Sequence, residues 1–167
     1  MIQVYTGDGK GKTTAALGLA LRASGAGLKV YIGQFIKGKS YSELKILKKL
    51  ENIRIEQYGE GCFIKDKPSK IDIRLACKGL KRVRKIIAQR NYDIIILDEI
   101  NVALHLGLLK LREVIDLLKN TPKDIEFILT GRWAHPNIKK LADLVSEIKD
   151  IKHYYKKGVM SRKGIEF

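Results

Sequence analysis

The sequence predicts an α/β fold in three layers, with a mostly parallel central sheet between helices. Three observations carry that prediction. A short apolar strand, Ile2 to Tyr5, runs into the turn Tyr5-Thr6-Gly7-Asp8-Gly9-Lys10-Gly11-Lys12-Thr13-Thr14, which opens a helix. Strand-like and helix-like stretches then alternate along the chain, the pattern of parallel strands joined by right-handed crossovers. The unbroken apolar run Ile94 to Leu97, followed by Asp98-Glu99, marks a central strand covered on both faces. A glycine-rich turn ending in Gly-Lys-Thr between strand and helix is a phosphate-binding P-loop. Together these features point to the P-loop NTPase class of the RecA-like kind. At 167 residues, one domain spanning 1–167 is expected.

The elements follow in order. The first helix, Thr13 to about Ala23, carries Ala15, Ala16, Leu17, Leu19, Ala20 and Leu21. It is apolar nearly all round and is expected to be buried against the sheet. Ser24 to Gly27 ends it. Leu28 to Phe35 reads as strand two, and Ile36 to Tyr41 as a loop. Glu43 to Leu50 has helical spacing at Leu44, Leu47 and Leu50. Ile53 to Tyr58 alternates as strand three, and Gly59 to Lys70 reads as a loop long enough to be functional. Ile71 to Arg90 is a basic helix with Ile73, Ala76, Leu80, Val83 and Ile87 on one face.

After strand four come helical segments at Val102–Leu106 and Leu111–Lys119, then strand five, Ile125 to Thr130. Pro136 starts a short helix over Asn137 to Ala142. Leu144 to Ile148 is a last strand, and 152–167 is a polar, basic tail without period. In parallel α/β sheets ligands sit beyond the carboxyl ends of the strands. The P-loop, Asp98-Glu99 and Thr130-Gly131-Arg132 all fall at that edge.

Charge and cysteines bound the function class. The formal net charge is +15, which raises nucleic-acid binding as a reading. The lysines are spread over many segments, and aromatic residues, at 7%, do not interleave with a basic stripe as a stacking platform does. A polyphosphate substrate accounts for part of the charge. No apolar run approaches the roughly 20 residues that span a bilayer. The first strand begins at Ile2, so no signal peptide is expected ahead of it. Cys62 and Cys77 fit neither a metal spacing nor a disulfide framework. A cytoplasmic location follows as the expectation.

The chemistry-bearing residues follow from the physics of phosphate. Gly7, Gly9 and Gly11 let the backbone curl so that amide groups around Asp8, Lys10 and Thr14 surround one concavity. The helix behind it adds its positive end. Lys12 is placed to reach phosphates, and the Thr13 hydroxyl to bind Mg²⁺. The usual glycine five residues before Gly-Lys is absent, since Thr6 stands there. Asp98 and Glu99 are the expected partners of Thr13 around Mg²⁺, directly or through water. As ordinary structure they would cap the next helix. Arg132 suits a forked phosphate contact or is simply a surface residue beside a turn glycine. His105 reads as a packed helix residue, His135 as a loop residue, and His153 as a tail residue with a marginal claim on substrate. No serine or cysteine triad stands out, so the nucleophile is expected to come from a substrate.

One family unites these pieces. The stretch Thr6 to Thr14, then Gln34-Phe-Ile-Lys-Gly38, Leu97-Asp-Glu99, Leu129-Thr-Gly-Arg132, Leu141-Ala-Asp-Leu-Val-Ser-Glu147 and Lys163-Gly-Ile-Glu-Phe167 resembles the P-loop corrinoid adenosyltransferases. Thr in place of the first P-loop glycine is a feature of that family. The resemblance implies that Co(I) of a reduced corrinoid, cobalamin or cobyrinic acid a,c-diamide, attacks the 5′ carbon of ATP and releases triphosphate. It implies Lys12, Thr13 and Glu99 as catalytic residues and a nucleotide held in reversed orientation. It implies a homodimer that receives electrons from a reduced flavoprotein, with no nucleic-acid or membrane partner. Better-known members carry Gly-Phe-Thr-Trp in the loop that displaces the lower axial ligand. This chain has Gly61-Cys62-Phe63-Ile64-Lys65, which leaves Phe63 as the aromatic expected against the corrinoid. The alternative function is a RecA-like nucleic-acid-dependent ATPase. A nucleoside kinase of the thymidine kinase kind would bring four zinc-binding cysteines, absent here, and a corrinoid carrier would leave ATP intact.

Overall fold

The computed structural model describes residues 1–167 except 40, 62, 63, 65 and 66. The strands are β1 (Ile2–Thr6), β2 (Val30–Lys37), β3 (Ile53–Gly61), β4 (Ile94–Asp98), β5 (Glu126–Thr130) and β6 (Leu144–Glu147). The α-helices are α1 (Lys12–Gly25), α2 (Ser42–Leu47), α3 (Lys70–Gln89), α4 (Ile100–His105), α5 (Leu111–Lys119) and α6 (Pro136–Leu141). A 3-10 turn at Tyr154–Lys157 stands in the tail.

The sheet runs β3-β2-β4-β5-β1-β6, and each of its pairings is parallel. The period-2 alternation of a strand explains the two cores. On β4, Ile95 and Leu97 face the layer built by α3, α4 and α5, while Ile94 and Ile96 face α1. Phe127 and Leu129 of β5 go to the first side and Ile128 to the second. Both faces are covered, so β4 is buried along its whole length.

Three expectations change. Helix α1 is not buried all round: Ala16, Leu17, Ala20 and Ala23 pack on the sheet, but Leu21 is 48% exposed and Ala15 faces outward. Its many alanines reflect helix propensity as much as burial, and one sheet face covers only one side of a helix. Strand β2 continues past Phe35 to Lys37, and β3 past Tyr58 to Gly61. A bulge lies between Phe35 and Lys37, with Ile36 at φ 67°. There the two strands come so close that a Cβ on Gly59 would stand 2.1 Å from the Ile36 carbonyl. Gly59 therefore serves close strand approach rather than a loop. Helix α4 begins directly after β4 at Ile100, two residues earlier than the sequence indicated.

Candidate functional site

The turn between β1 and α1 forms at the carboxyl edge of the sheet, between the ends of β2, β4, β5 and β6. Gly7 and Gly11 hold φ values of 95° and 118°, conformations that glycine adopts without a Cβ penalty. Neighbouring chain sets a second demand. A Cβ on Gly7 would stand 2.4 Å from the Ile148 oxygen, and one on Gly9 2.7 Å from the Lys149 oxygen. The Gly9 amide donates to the Ile148 carbonyl at 2.8 Å, so this amide is committed to the chain that leaves β6. Thr6 occupies the usual glycine position because it is still strand: it pairs with Glu147, and its hydroxyl accepts from the Ala134 amide at 3.3 Å.

Lys12 is folded into the loop. Its ammonium donates to the Gly7 and Gly9 carbonyls, both at 2.7 Å, and only 8% of the residue is exposed. Burial lowers its pKa, with Glu99 opposing the shift. The ammonium is thus held over the concavity by weak, neutral partners that an anion can replace.

Beneath it lies a charged cluster around Asp98, which has no exposed surface. One carboxylate oxygen accepts from the Thr13 hydroxyl at 2.8 Å and the Thr130 hydroxyl at 2.6 Å. The other accepts from Lys37 Nζ at 2.7 Å and Gln34 Nε2 at 3.0 Å. Lys37 also donates to Thr13 Oγ at 3.2 Å. Burial alone would raise the Asp98 pKa, but the Lys37 charge and these hydrogen bonds bring it below the ordinary carboxylate value. For Lys37 burial works downward and the attraction of Asp98 outweighs it, so the ammonium is held above its usual value.

Glu99 differs from its neighbour. It stands at a left-handed position, φ 60°, where β4 turns into α4. Its backbone amide donates to Thr130 Oγ at 3.0 Å, but its carboxylate has no hydrogen-bond donor among the described residues. Burial and the Asp98 charge raise its pKa. Of the residues expected around a divalent cation, Glu99 has the carboxylate without a donor among the described residues. The Thr13 hydroxyl is engaged by Asp98 and Lys37 and would have to give up the Lys37 contact to turn a lone pair to a metal. Asp98, with four donors already on it, would act from behind Thr13. Mg²⁺ keeps several waters and binds few protein groups when phosphates supply the rest.

The remaining expected residues fall as follows. Arg132 follows β5 and reaches the P-loop, where a guanidinium nitrogen donates to the Asp8 carbonyl at 3.1 Å. Asp8 and Thr14 are exposed. Lys10 turns away from the concavity, and its ammonium donates to Tyr154 Oη and Glu166 Oε1, each at 2.7 Å. Phe63 lies outside the described residues. His105 is not packed among leucines. It ends the six-residue α4 on the solvent side, and its ring stacks on Trp133 with centroids 4.4 Å apart. His135 and His153 each accept a backbone amide, at the starts of α6 and the 3-10 turn.

Sequence reasoning assigned no role to Lys37, Gln34, Thr130, Tyr154 or Glu166. Lys37 and Gln34 lie on β2 at the carboxyl edge, a position that signals a site, but only the strand order β2-β4 puts them on Asp98. Basic residues are also less dispersed than the sequence suggests. Arg74, Lys78, Lys81 and Lys85 line one side of α3 along a hollow of about 680 Å³ floored by Glu56 and Tyr58.

The chain is similar to known proteins along its whole length. The family model described as "ATP:corrinoid adenosyltransferase BtuR/CobO/CobP" matches residues 1–167. The chain is 36% identical to the corrinoid adenosyltransferase of Escherichia coli K12 over all of its length and 85% of that protein. Identity is 34% to the corrinoid adenosyltransferase of Pseudomonas aeruginosa, with 100% of this chain and 83% of that protein covered. It is also 34% to the corrinoid adenosyltransferase CobA of Salmonella typhimurium, with 100% and 85% covered. Among solved structures, the KaiC-like protein PH0186 of Pyrococcus horikoshii OT3 aligns with a TM-score of 0.54 at 17% identity, over 87% of this chain and 71% of that one. That likeness is one of fold.

Proposed function

The chain belongs to the ATP:corrinoid adenosyltransferases, transferases that move the adenosyl group of ATP to a corrinoid, and from that premise we propose how its site does so. The electron pair of Co(I) forms a bond to the 5′ carbon of ATP. The bond from that carbon to the triphosphate oxygen breaks, its electron pair leaves with triphosphate, and cobalt ends as Co(III). Co(I) needs no protein base to activate it. The protein's work is to orient the sugar carbon and stabilise the departing polyanion.

The observation that carries this reading is Lys12. A largely buried ammonium, held among the described residues by two loop carbonyls, exchanges those contacts for phosphate oxygens. Residues Gly7 to Thr14 form the cradle, with Arg132 at its rim. Thr13 and Glu99 hold Mg²⁺, which when bound supplies positive charge to the triphosphate, and Asp98 orients Thr13. Lys37 keeps Asp98 ionised and adds a further cation beneath the phosphates. Phe63 is the aromatic for the corrinoid.

We further assign a reduced flavoprotein as electron donor, a cytoplasmic location and a homodimeric state. In support of the last, Leu21 and the edge-strand residues Leu144 and Val145 stay exposed, as side chains covered by a second copy would. No described helix is long and apolar enough to cross a membrane. The nucleic-acid-dependent ATPase reading is not favoured by the family assignment.

The test is product analysis. Purified protein with ATP, Mg²⁺ and chemically reduced cobalamin is expected to yield adenosylcobalamin and triphosphate in equal amounts. ADP and orthophosphate without a cobalt–carbon bond would overturn the proposal.

A further inference from the structure

The C-terminal segment is tied across the site at both ends. It leaves β6 at Ile148, whose amide donates to the Thr6 carbonyl and whose carbonyl accepts from Gly9, both at 2.8 Å. It then returns to the P-loop. Lys10 Nζ donates to both Tyr154 Oη and Glu166 Oε1 at 2.7 Å, and Tyr154 Oη donates to the same carboxylate oxygen. The other oxygen of Glu166 accepts the Arg162 amide at 2.6 Å. The Arg162 guanidinium and the Lys10 ammonium both lie over the Tyr154 ring, 4.8 and 5.4 Å from its centroid. The chain ends on the far side of the site, where the Phe167 carbonyl accepts from Ser42 Oγ at 3.0 Å. Ser42 opens α2, five residues after Lys37.

This arrangement assigns the glutamate a task. Glu166 gathers a lysine, a tyrosine and a backbone amide on one carboxylate, and only 18% of its side chain is exposed. One of those partners, Lys10, is part of the phosphate-binding turn. We propose that Glu166 is a positioning residue of the nucleotide site: through Lys10 and Tyr154 it straps residues 154–167 onto the P-loop and holds that loop in its phosphate-binding shape. The inference rests on the reading that the turn binds the triphosphate of ATP. It removes Lys10 from direct phosphate contact and leaves Lys12 as the ammonium of the cradle. A loop already held in its bound shape loses less freedom when the ligand arrives, so the strap acts on nucleotide affinity.

The experiment compares full-length Glu166→Gln, Glu166→Asp and Lys10→Met with the wild type. MgATP binding is measured by calorimetry without corrinoid, and KM for each substrate by turnover. Charge-assisted contacts of this kind are worth enough to weaken ATP binding about tenfold in Glu166→Gln and in Lys10→Met. The KM for corrinoid is expected to stay within about twofold, because the contacts broken reach the P-loop. The double variant is expected to bind ATP no more weakly than either single one, since both break one linkage. Glu166→Asp is expected to recover part of the affinity.

If Glu166→Gln binds ATP as tightly as wild type, the strap has no part in the site. If both KM values rise together with a fall in melting temperature, its role is structural only and the proposal is overturned. A wild-type protein that fails to bind MgATP would instead bring down the nucleotide site itself, which separates the two readings.

Discussion

The Lys37 ammonium stands 2.7 Å from a carboxylate oxygen of Asp98, at the ends of two adjacent strands, with 12% and 0% of the side chains exposed. A buried pair of this kind is costly to break from one side, because the remaining charge is left without a partner. Lys37→Met is therefore expected to destabilise the fold by about 3–5 kcal/mol. The double change Lys37→Met with Asp98→Asn is expected to recover a large part of that loss. Urea unfolding of the wild type and the two variants checks it, and equal midpoints for wild type and Lys37→Met would refute it.

Gly7 and Gly11 share a positive φ but differ in their surroundings. A Cβ at Gly7 would stand 2.4 Å from the Ile148 oxygen, whereas a Cβ at Gly11 would meet nothing within 4 Å. Gly7→Ala adds a backbone clash to the conformational strain and is expected to cost on the order of 3 kcal/mol. Gly11→Ala carries the strain alone, about 1–2 kcal/mol. Thermal unfolding of the two variants gives the order, and a Gly11→Ala melting temperature below that of Gly7→Ala would contradict the packing argument.

Among the described residues no hydrogen-bond donor meets the Glu99 carboxylate, which burial and the Asp98 charge hold at a raised pKa. If it holds Mg²⁺, Glu99→Gln should raise the Mg²⁺ concentration for half-maximal adenosyl transfer roughly tenfold or more, while nucleotide binding without metal changes little. A Mg²⁺ titration of activity decides the matter. An unaltered curve would remove Glu99 from the metal site.

Acid stability reports on a different cluster. The Glu56 carboxylate accepts from Tyr58 Oη at 2.6 Å, from Arg54 at 2.7 Å and from Arg82 at 3.2 Å. Burial works against ionisation, but these donors win and lower its pKa from 4.5 to about 2. The folded value lies below the unfolded one. The contribution to stability is therefore present above pH 4.5 and is lost as the pH falls towards about 2. Glu56→Gln is expected to be less stable than wild type at pH 6 and to lose less stability on acidification through that window. Urea midpoints across the range test it. Parallel curves would show that Glu56 does not titrate this way.

The fold was largely legible because two kinds of signal agreed. The run Ile94 to Leu97 could only be an interior strand, and Gly-Lys-Thr after a strand could only sensibly open a helix over a phosphate cradle. The ends of elements were less legible. Lys37 and Gly59 looked like loop residues because a bulge and a close strand approach depend on the neighbouring strand, not on local propensity. Helix α1 misled for a similar reason, since alanine content does not say which side the sheet covers.

Within the site, the placement of Lys12, Thr13, Asp98 and Glu99 at one sheet edge was readable from spacing, because the turn after β1 leads to the first two, the end of β4 carries the other two, and the strands are parallel. What chain order could not express was who touches whom. Lys37 meets Asp98 only because β2 lies beside β4. Gly7 is needed for space as well as for its φ, and Gly9 for space, only because 148–149 passes behind them. Lys10 faces Glu166, 156 residues away, only because the tail folds back onto the loop. Local sequence determined the backbone shape and the kinds of chemical group at the sheet edge. Strand order and chain return decided their partners, because hydrogen bonds and ion pairs act over a few ångströms and such proximity between distant segments arises only on folding.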